Sequence, residues 1–302
     1  MWLIFALVGP VCWAVSTHID KYLVDRYFRD SDIAVLLVFT SLLGLLLLPF
    51  IWWFEPGVFA PSWRSIAVMT ASGVMYIGAM LFYLRAIQSH EASVVAPLFQ
   101  TSTIFTFALA YILLGEILTW KAAAGTVLIL AGVVFLSLDR SLRLASFRSK
   151  LVLQMLACTF ILALANVLFK FYAVADNFWT TTFWTFVGEA LFGIAILAIP
   201  RYRKQFVQLV KTNTGPLLGV NGANELINLG GGLGVRYATL LAPVALVSAV
   251  ASTTTLFVFA IGTLLTLFAP HLSHEDISLG NLARKAIAAV VVTAGVLLAQ
   301  GG

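Results

Sequence analysis

The chain has 302 residues, of which 61% are apolar and only 10% charged, against roughly 45–50% and 25% in soluble domains. No soluble fold of this length hides so much apolar surface, whereas a lipid bilayer solvates it. The formal charge of +5 is scattered over short segments between apolar runs, which excludes nucleic acid as a partner and makes the bilayer the first one.

A helix needs roughly 20 apolar residues to cross the hydrocarbon core. Ten stretches are expected to do so, near 2–22, 33–54, 65–84, 92–114, 122–138, 151–171, 178–199, 216–235, 240–268 and 282–299. The predicted fold class is therefore all-α integral membrane. The first stretch reads as a retained helix, because no basic segment or small-residue cleavage site flanks it. Trp2, Trp52, Trp53, Trp63 and Trp120 fall at span ends, where an amphipathic ring prefers the headgroup region. Cys12 and Cys158 lie far apart inside apolar runs and are expected to be inert packing residues.

Polar residues inside these spans each need a partner or a purpose. The first span ends on Lys21, near His18 and Asp20, and the sixth ends on Lys170, near Asn166. Both lysines are candidates for anion binding at a cavity mouth, and snorkelling toward the interface is the plainer alternative. Ser72, Tyr76 and Tyr83 share one face of the third span, and Gln100 and Thr103 one face of the fourth. The two tyrosines suit an amphiphilic or cationic ligand through ring contacts. Glu189, in the middle of the seventh span, has no basic residue within a turn or two on its own helix. It is a candidate proton site, or a hydrogen-bond partner for a neighbouring helix.

The eighth span is the richest. At 100° per residue Asn221, Glu225, Asn228 and Gly232 fall within one narrow arc. Such a stripe reads as a cavity wall in which Glu225 meets a cation or carries a proton, or as glue between helices. The glycines 230, 231, 232 and 234 that follow read as a hinge or as tight packing against the fourth or ninth helix. Ser248, Ser252 and Thr255 form a weaker stripe on the ninth span, and Arg284 and Lys285 at the start of the tenth are expected to snorkel. His271, His274, Glu275 and Asp276 form a His and carboxylate cluster in a connection, which reads as a hydrated loop with no metal.

With ten spans, 14 of the 18 basic residues fall on one side and 4 on the other. The positive-inside rule then makes the rich side cytoplasmic and both termini external.

The two halves also match locally. At an offset of 150, Ala92, Val94, Ser102, Thr103 and Phe107 fall on Ala242, Val244, Ser252, Thr253 and Phe257. At 149, Ala14, Lys21 and Gly73 fall on Ala163, Lys170 and Gly222, and at 144, Phe39 and Gly44 fall on Phe183 and Gly188. Chance similarity of apolar helices is the competing explanation. Five helices per half would make the repeats inverted, an architecture of many secondary transporters.

Gly115-Glu116 with Thr119, then Gly125 and Ala131-Gly132-Val133, and their looser echo in Glu275 and Ala294-Gly295-Val296, resemble the EamA-type transporters of the drug/metabolite transporter superfamily. The resemblance implies ten transmembrane helices as two inverted five-helix repeats, 1–140 and 150–302. It implies movement of small metabolites, amino acids or amphiphilic compounds through a central cavity in a bacterial inner membrane, with both termini cytoplasmic, opposite to the basic-residue count. The expected partners are a small-molecule substrate, lipid and protons. No cofactor is expected, and no nucleotide-binding loop or intramembrane protease motif occurs in the chain. A membrane-embedded lipid enzyme and a passive channel are the alternatives.

Overall fold

The computed structural model describes residues 1–27, 32–89, 95, 98–137, 149–213, 215, 217–268 and 278–300. Among them the chain is all-α, with no strand. In order the helices are α1 (Trp2–Tyr27), α2 (Ile33–Leu43), α3 (Leu48–Phe54), α4 (Trp63–Ser89), α5 (Thr101–Leu114), α6 (Trp120–Ser137) and α7 (Ser149–Ala175). They continue as α8 (Phe178–Ala198), α9 (Pro200–Thr212), α10 (Gly222–Leu241), α11 (Val244–Ala251), α12 (Thr254–Phe268) and α13 (Leu279–Gln300).

Among the described residues seven segments are long and apolar enough to cross a membrane: Trp2–Leu23, Ile33–Phe54, Trp63–Ala86, Ser149–Ala175, Phe178–Ala198, Val244–Phe268 and Leu279–Ala299. Thr101–Leu114 and Trp120–Leu136 are apolar but shorter. The 20-residue α10 carries Asn224, Glu225, Asn228 and Arg236 within otherwise apolar sequence. Large apolar side chains such as Ile112, Leu153 and Val290 stand at least 70% exposed, as an acyl-chain environment requires. Trp53, Trp63 and Trp120 are exposed near helix ends, where the sequence places them.

Two span boundaries differ from the sequence expectation. The eighth helix does not stop near residue 235 but runs to Leu241, so Arg236 lies inside it. Its stop is set by Pro243, whose ring drives Ala242 into an extended conformation (φ −150°, ψ 163°). The ninth stretch is two helices, because the chain turns at Ser252 and Thr253 between α11 and α12. In the first half, Leu98 and Phe99 are helical, Gln100 is a turn, and α5 begins at Thr101. Hydroxyls bond back across both breaks: Thr101 Oγ1 to the Leu98 carbonyl at 2.7 Å, and Thr254 Oγ1 to that of Ala251 at 2.7 Å. Carbonyls loosened by a break inside lipid need such donors.

Glycines set the closest helix contacts. A Cβ on Gly125 would strike the Gly295 carbonyl oxygen, and one on Gly295 the backbone of Gly125 and Ile129. Thus α6 and α13 cross through the very glycines that carry the family resemblance. A Cβ on Gly73 would collide with the Thr185 carbonyl, and one on Gly188 with that of Thr70, which locks α4 against α8. Gly231 and Gly234 sit in a continuous helix and face Gly9, Cys12 and Val8 of α1. Two of the four glycines, Gly231 and Gly234, thus pack on the first helix rather than the fourth or ninth, while Gly230 and Gly232 face open space.

Beyond these contacts α1 lies along α10 and α12, while α7 lies along α4 and α5. A shared apolar core joins Ala6, Ile129, Val133, Val247, Val250 and Val292. α9 is a basic amphipathic helix whose Leu209 packs with Leu23 and Leu36, while Arg201, Arg203, Lys204 and Lys211 remain exposed. That pattern suits a helix lying in the membrane interface.

Candidate functional site

Arg236 is the cation that the seventh span lacks. Its Nη2 donates to Glu189 Oε1 at 2.5 Å, with the two side chains only 16% and 7% exposed. The guanidinium also lies 5.2–5.5 Å from the ring centroids of Tyr76, Phe169 and Phe186. Rings at that distance stabilise a cation through their negative faces, which offsets part of its dehydration. Arg236 presents five N–H donors, and Glu189 Oε1 accepts the one side-chain hydrogen bond it makes among the described residues.

A small cavity opens beside this pair, lined by Ser72 and Tyr76 of α4, Asn166 and Phe169 of α7, Thr185 of α8, and Arg236 of α10. Its volume of about 10 Å³ is near the least that admits a water. In this conformation the site is collapsed around its charges. Glu189 is thus an ion-pair partner, because the cation arrives from a helix that sequence spacing alone did not bring near it.

A second polar cluster joins α1, α2 and α10. Asn224 Nδ2 donates to Asp20 Oδ1 at 2.6 Å, Thr40 Oγ1 donates to Glu225 Oε1 at 2.8 Å, and Ser16 Oγ donates to Asp20 Oδ2 at 3.4 Å. Asn228 lies against the Glu225 carboxylate, and the Asp20 charge acts on it as well. Asn221, Asn224 and Glu225 are at most 3% exposed, and the carbonyl oxygens of both asparagines have no hydrogen-bond donor. No basic side chain pairs with Asp20 or Glu225 among the described residues. The stripe read from sequence held Asn221, Glu225 and Asn228; it missed Asn224, which follows Asn221 by three residues on an adjoining row, and it missed Asp20 and Thr40 on other helices.

Lys170 forms an ion pair with Glu116, the two side chains being 12% and 14% exposed, and donates to the Ala242 carbonyl at 2.7 Å. Glu116 Oε2 in turn accepts from the backbone N–H of Val244 at 2.8 Å, capping the start of α11. Gly115 makes this possible. It takes φ +67° and ends α5, with Glu116 N bonded back to the Ala110 carbonyl, the paired-bond stop that favours glycine. Lys170 is therefore held inside the bundle, whereas Lys21 is exposed on α1.

Gln100 is 7% exposed at the break before α5, and Thr103 of α5 shares a 3.2 Å hydrogen bond with Ser248 of α11. Ser252 donates to the Ala249 carbonyl at its own break. Tyr83 stacks on Phe99 at 4.3 Å, away from the cavity lining. Cys158 Sγ donates to the Ala79 carbonyl. Arg284 donates to the Leu136 carbonyl and Lys285 to Thr263, so both reach neighbouring helices from α13. Among the described residues no group of three or more His, Cys, Asp or Glu side chains is placed to hold a metal ion. The cluster of His271, His274, Glu275 and Asp276 lies outside the described residues.

Residues 1–138 match the family model described as "EamA-like transporter family". No curated protein matches the chain. A solved structure titled "Crystal structure of protein" is similar over 99% of this chain and 96% of its own, at 15% identity and a TM-score of 0.68, which establishes a shared fold.

Proposed function

Residues 1–138 belong to the EamA-like transporter family, a drug/metabolite transporter domain, and from that premise we propose that this multi-pass membrane protein is a secondary transporter of a small organic molecule. Ten spans form two inverted five-helix halves, 1–140 and 150–302, that rock about a central cavity. The carrying observation is the buried Arg236 and Glu189 pair, which opens on a polar cavity lined from α4 of the first half and α7, α8 and α10 of the second. Charges inside a membrane protein mark a pathway because leaving them there costs free energy.

The contacts support the symmetry. α6 meets its counterpart α13, α5 meets α11, and the pairing of α1 with α10 is echoed by that of α7 with α4. At an offset of 150 the breaks at Gln100 and at Ser252–Thr253 fall within three residues of each other, and interrupted helices in nearby places of two halves point to a binding region. One pair breaks the symmetry: α4 is packed along α8, but the corresponding α10 and α2 touch at few points. A two-state carrier caught on one side of its cycle has this asymmetry.

Substrate binds where Arg236 leaves donors free, and the Asp20 and Glu225 cluster couples a cation or proton to the cycle. The basic-rich loops face the cytoplasm of a bacterial inner membrane in this reading, with α9 on that surface. The test is counterflow in proteoliposomes, in which wild-type protein exchanges a labelled compound saturably and Arg236→Ala does not. Saturable counterflow that survives Arg236→Ala unchanged would remove the cavity from the pathway.

A further inference from the structure

The cavity beside Arg236 has a counterpart that follows from the repeat. Carried through the half-to-half offsets of 149 and 144, Ser72, Tyr76, Asn166, Phe169 and Thr185 land on Asn221, Glu225, Thr17, Asp20 and Ser41. These positions fall on α10, α1 and α2, the three helices whose side chains meet in the Asp20 and Glu225 cluster. The same place in the two halves thus holds an arginine with aromatic rings in one case and two carboxylates with amides in the other.

The second place is built from oxygen. Asp20 forces Asn224 to turn its Nδ2 inward, because a carboxylate only accepts, and this fixes the Asn224 carbonyl oxygen as the free end. That oxygen is fully buried and has no donor, and the Asn221 oxygen, three residues earlier on the helix, is 2% exposed and equally unserved. The chain enters this helix through a π-helical turn, Leu217–Asn221, a form that recurs at functional sites. Each carboxylate has one oxygen committed to a strong neighbour, Asp20 Oδ1 to Asn224 and Glu225 Oε1 to Thr40. Asp20 Oδ2 has only the long Ser16 contact, and Asn228 flanks the Glu225 carboxylate.

Buried carbonyl oxygens without donors and carboxylates without a basic partner both call for positive charge. A proton on either carboxyl would supply a single O–H donor, whereas one metal cation draws on carboxylate and amide oxygens together. The hard all-oxygen set rules out a soft or imidazole-seeking metal. Calcium takes six to eight oxygens, often from bidentate carboxylates, and magnesium keeps several waters, whereas Asp20 and Glu225 each have one oxygen already taken, by Asn224 and Thr40. Resting on the two-half transporter reading above, we infer that Asp20, Asn221, Asn224 and Glu225 form a binding site for a dehydrated alkali cation of sodium size, the coupling ion of the transport cycle.

The experiment is equilibrium binding of radioactive sodium to the purified full chain in detergent at constant ionic strength, with potassium and choline as competitors at fixed pH and a separate pH series that tests competition by protons. The wild-type protein is expected to bind sodium saturably, with choline ineffective. Glu225→Gln and Asn224→Ala are expected to lose the binding while Arg236→Gln, at the other cavity, retains it. Melting temperature provides a second readout on the same samples: sodium raises it in the wild type and leaves it unmoved in Glu225→Gln, so that a variant that merely unfolds is recognised. Absence of sodium binding by well-folded wild-type protein overturns the proposal, as does binding that survives both substitutions. Displacement by protons alone, with no preference for sodium over choline, makes this a proton site and overturns it too. Sodium binding by a protein that moves nothing across liposomes contradicts the transporter reading and leaves the site standing.

Discussion

Glu116 holds Lys170, caps Val244 and follows the glycine that ends α5. Its replacement by Ala removes an N-terminal cap worth about 0.5–2 kcal/mol and strands a buried lysine, for which one-sided loss of a pair costs about 3–5 kcal/mol. We expect Glu116→Ala to lower the melting temperature sharply and Glu116→Ala with Lys170→Met to recover part of it, as a double-mutant cycle read by thermal unfolding would show. A double variant that loses the sum of the two single losses would mean that the pair is not coupled. Arg236 yields a different expectation. Arg236→Lys keeps the charge but loses the planar group set among Tyr76, Phe169 and Phe186, so transport should fall about tenfold or more, on the order of 1.4 kcal/mol, in a liposome uptake assay. Activity equal to wild type would reduce the rings to packing.

Some of these residues were legible in the sequence and some were not. Glu189, Lys170, Asn221 and Glu225 stand out because a polar residue in an apolar run is conspicuous by itself. Their partners do not. Arg236 falls just past the span 216–235 read from sequence, because hydropathy ends a span at a charge, and only the extended backbone before Pro243 marks the real end. Asp20 sits one position before a lysine near a helix end, where an interfacial fate is the ordinary one, and nothing local announces that Asn224 of a distant helix will reach it.

At the scale of elements, glycine placement converts sequence into helix approach. Gly73 and Gly188 let α4 and α8 touch backbone to backbone, so Gly188→Val forces them apart. Overpacking of this kind typically costs about 1–3 kcal/mol, and here the obstacle is a carbonyl oxygen rather than a flexible side chain. The expected result is a lower melting temperature and abolished transport; a fully active Gly188→Val protein would mean that this contact opens freely. The periodicity of α10 was readable at 100° per residue, as was the existence of most helices. The breaks at Gln100 and at Ser252–Thr253 were not, since apolar composition continues through them and hydroxyls, rather than prolines, serve the loosened carbonyls.

For the whole molecule, α4 packs along α8 while α2 and α10 touch at few points, and the proposed carrier cycle predicts that this inequality reverses. Spin labels across each pair should report one short and one long distance without a gradient, and a second population with the two exchanged once a transported compound is present. A single unchanging pair of distances would argue for a static scaffold or channel. The proposed repeat is legible only as scattered matches, because apolar helices resemble one another whether or not they are related; the close contact of Gly125 with Gly295 shows that glycines from both stretches of the family resemblance serve helix packing.

Counterflow in proteoliposomes bears most directly on the central claim. Vesicles preloaded with single unlabelled compounds, drawn from amino acids, organic acids and organic cations, are given traces of the same labelled compound. For at least one compound, wild-type protein should accumulate label transiently and saturably, and Arg236→Ala should not, although it inserts and purifies as a folded chain. Flux that never saturates and shows no transient accumulation, or saturable exchange unaffected by loss of Arg236, would contradict a carrier that works through this cavity.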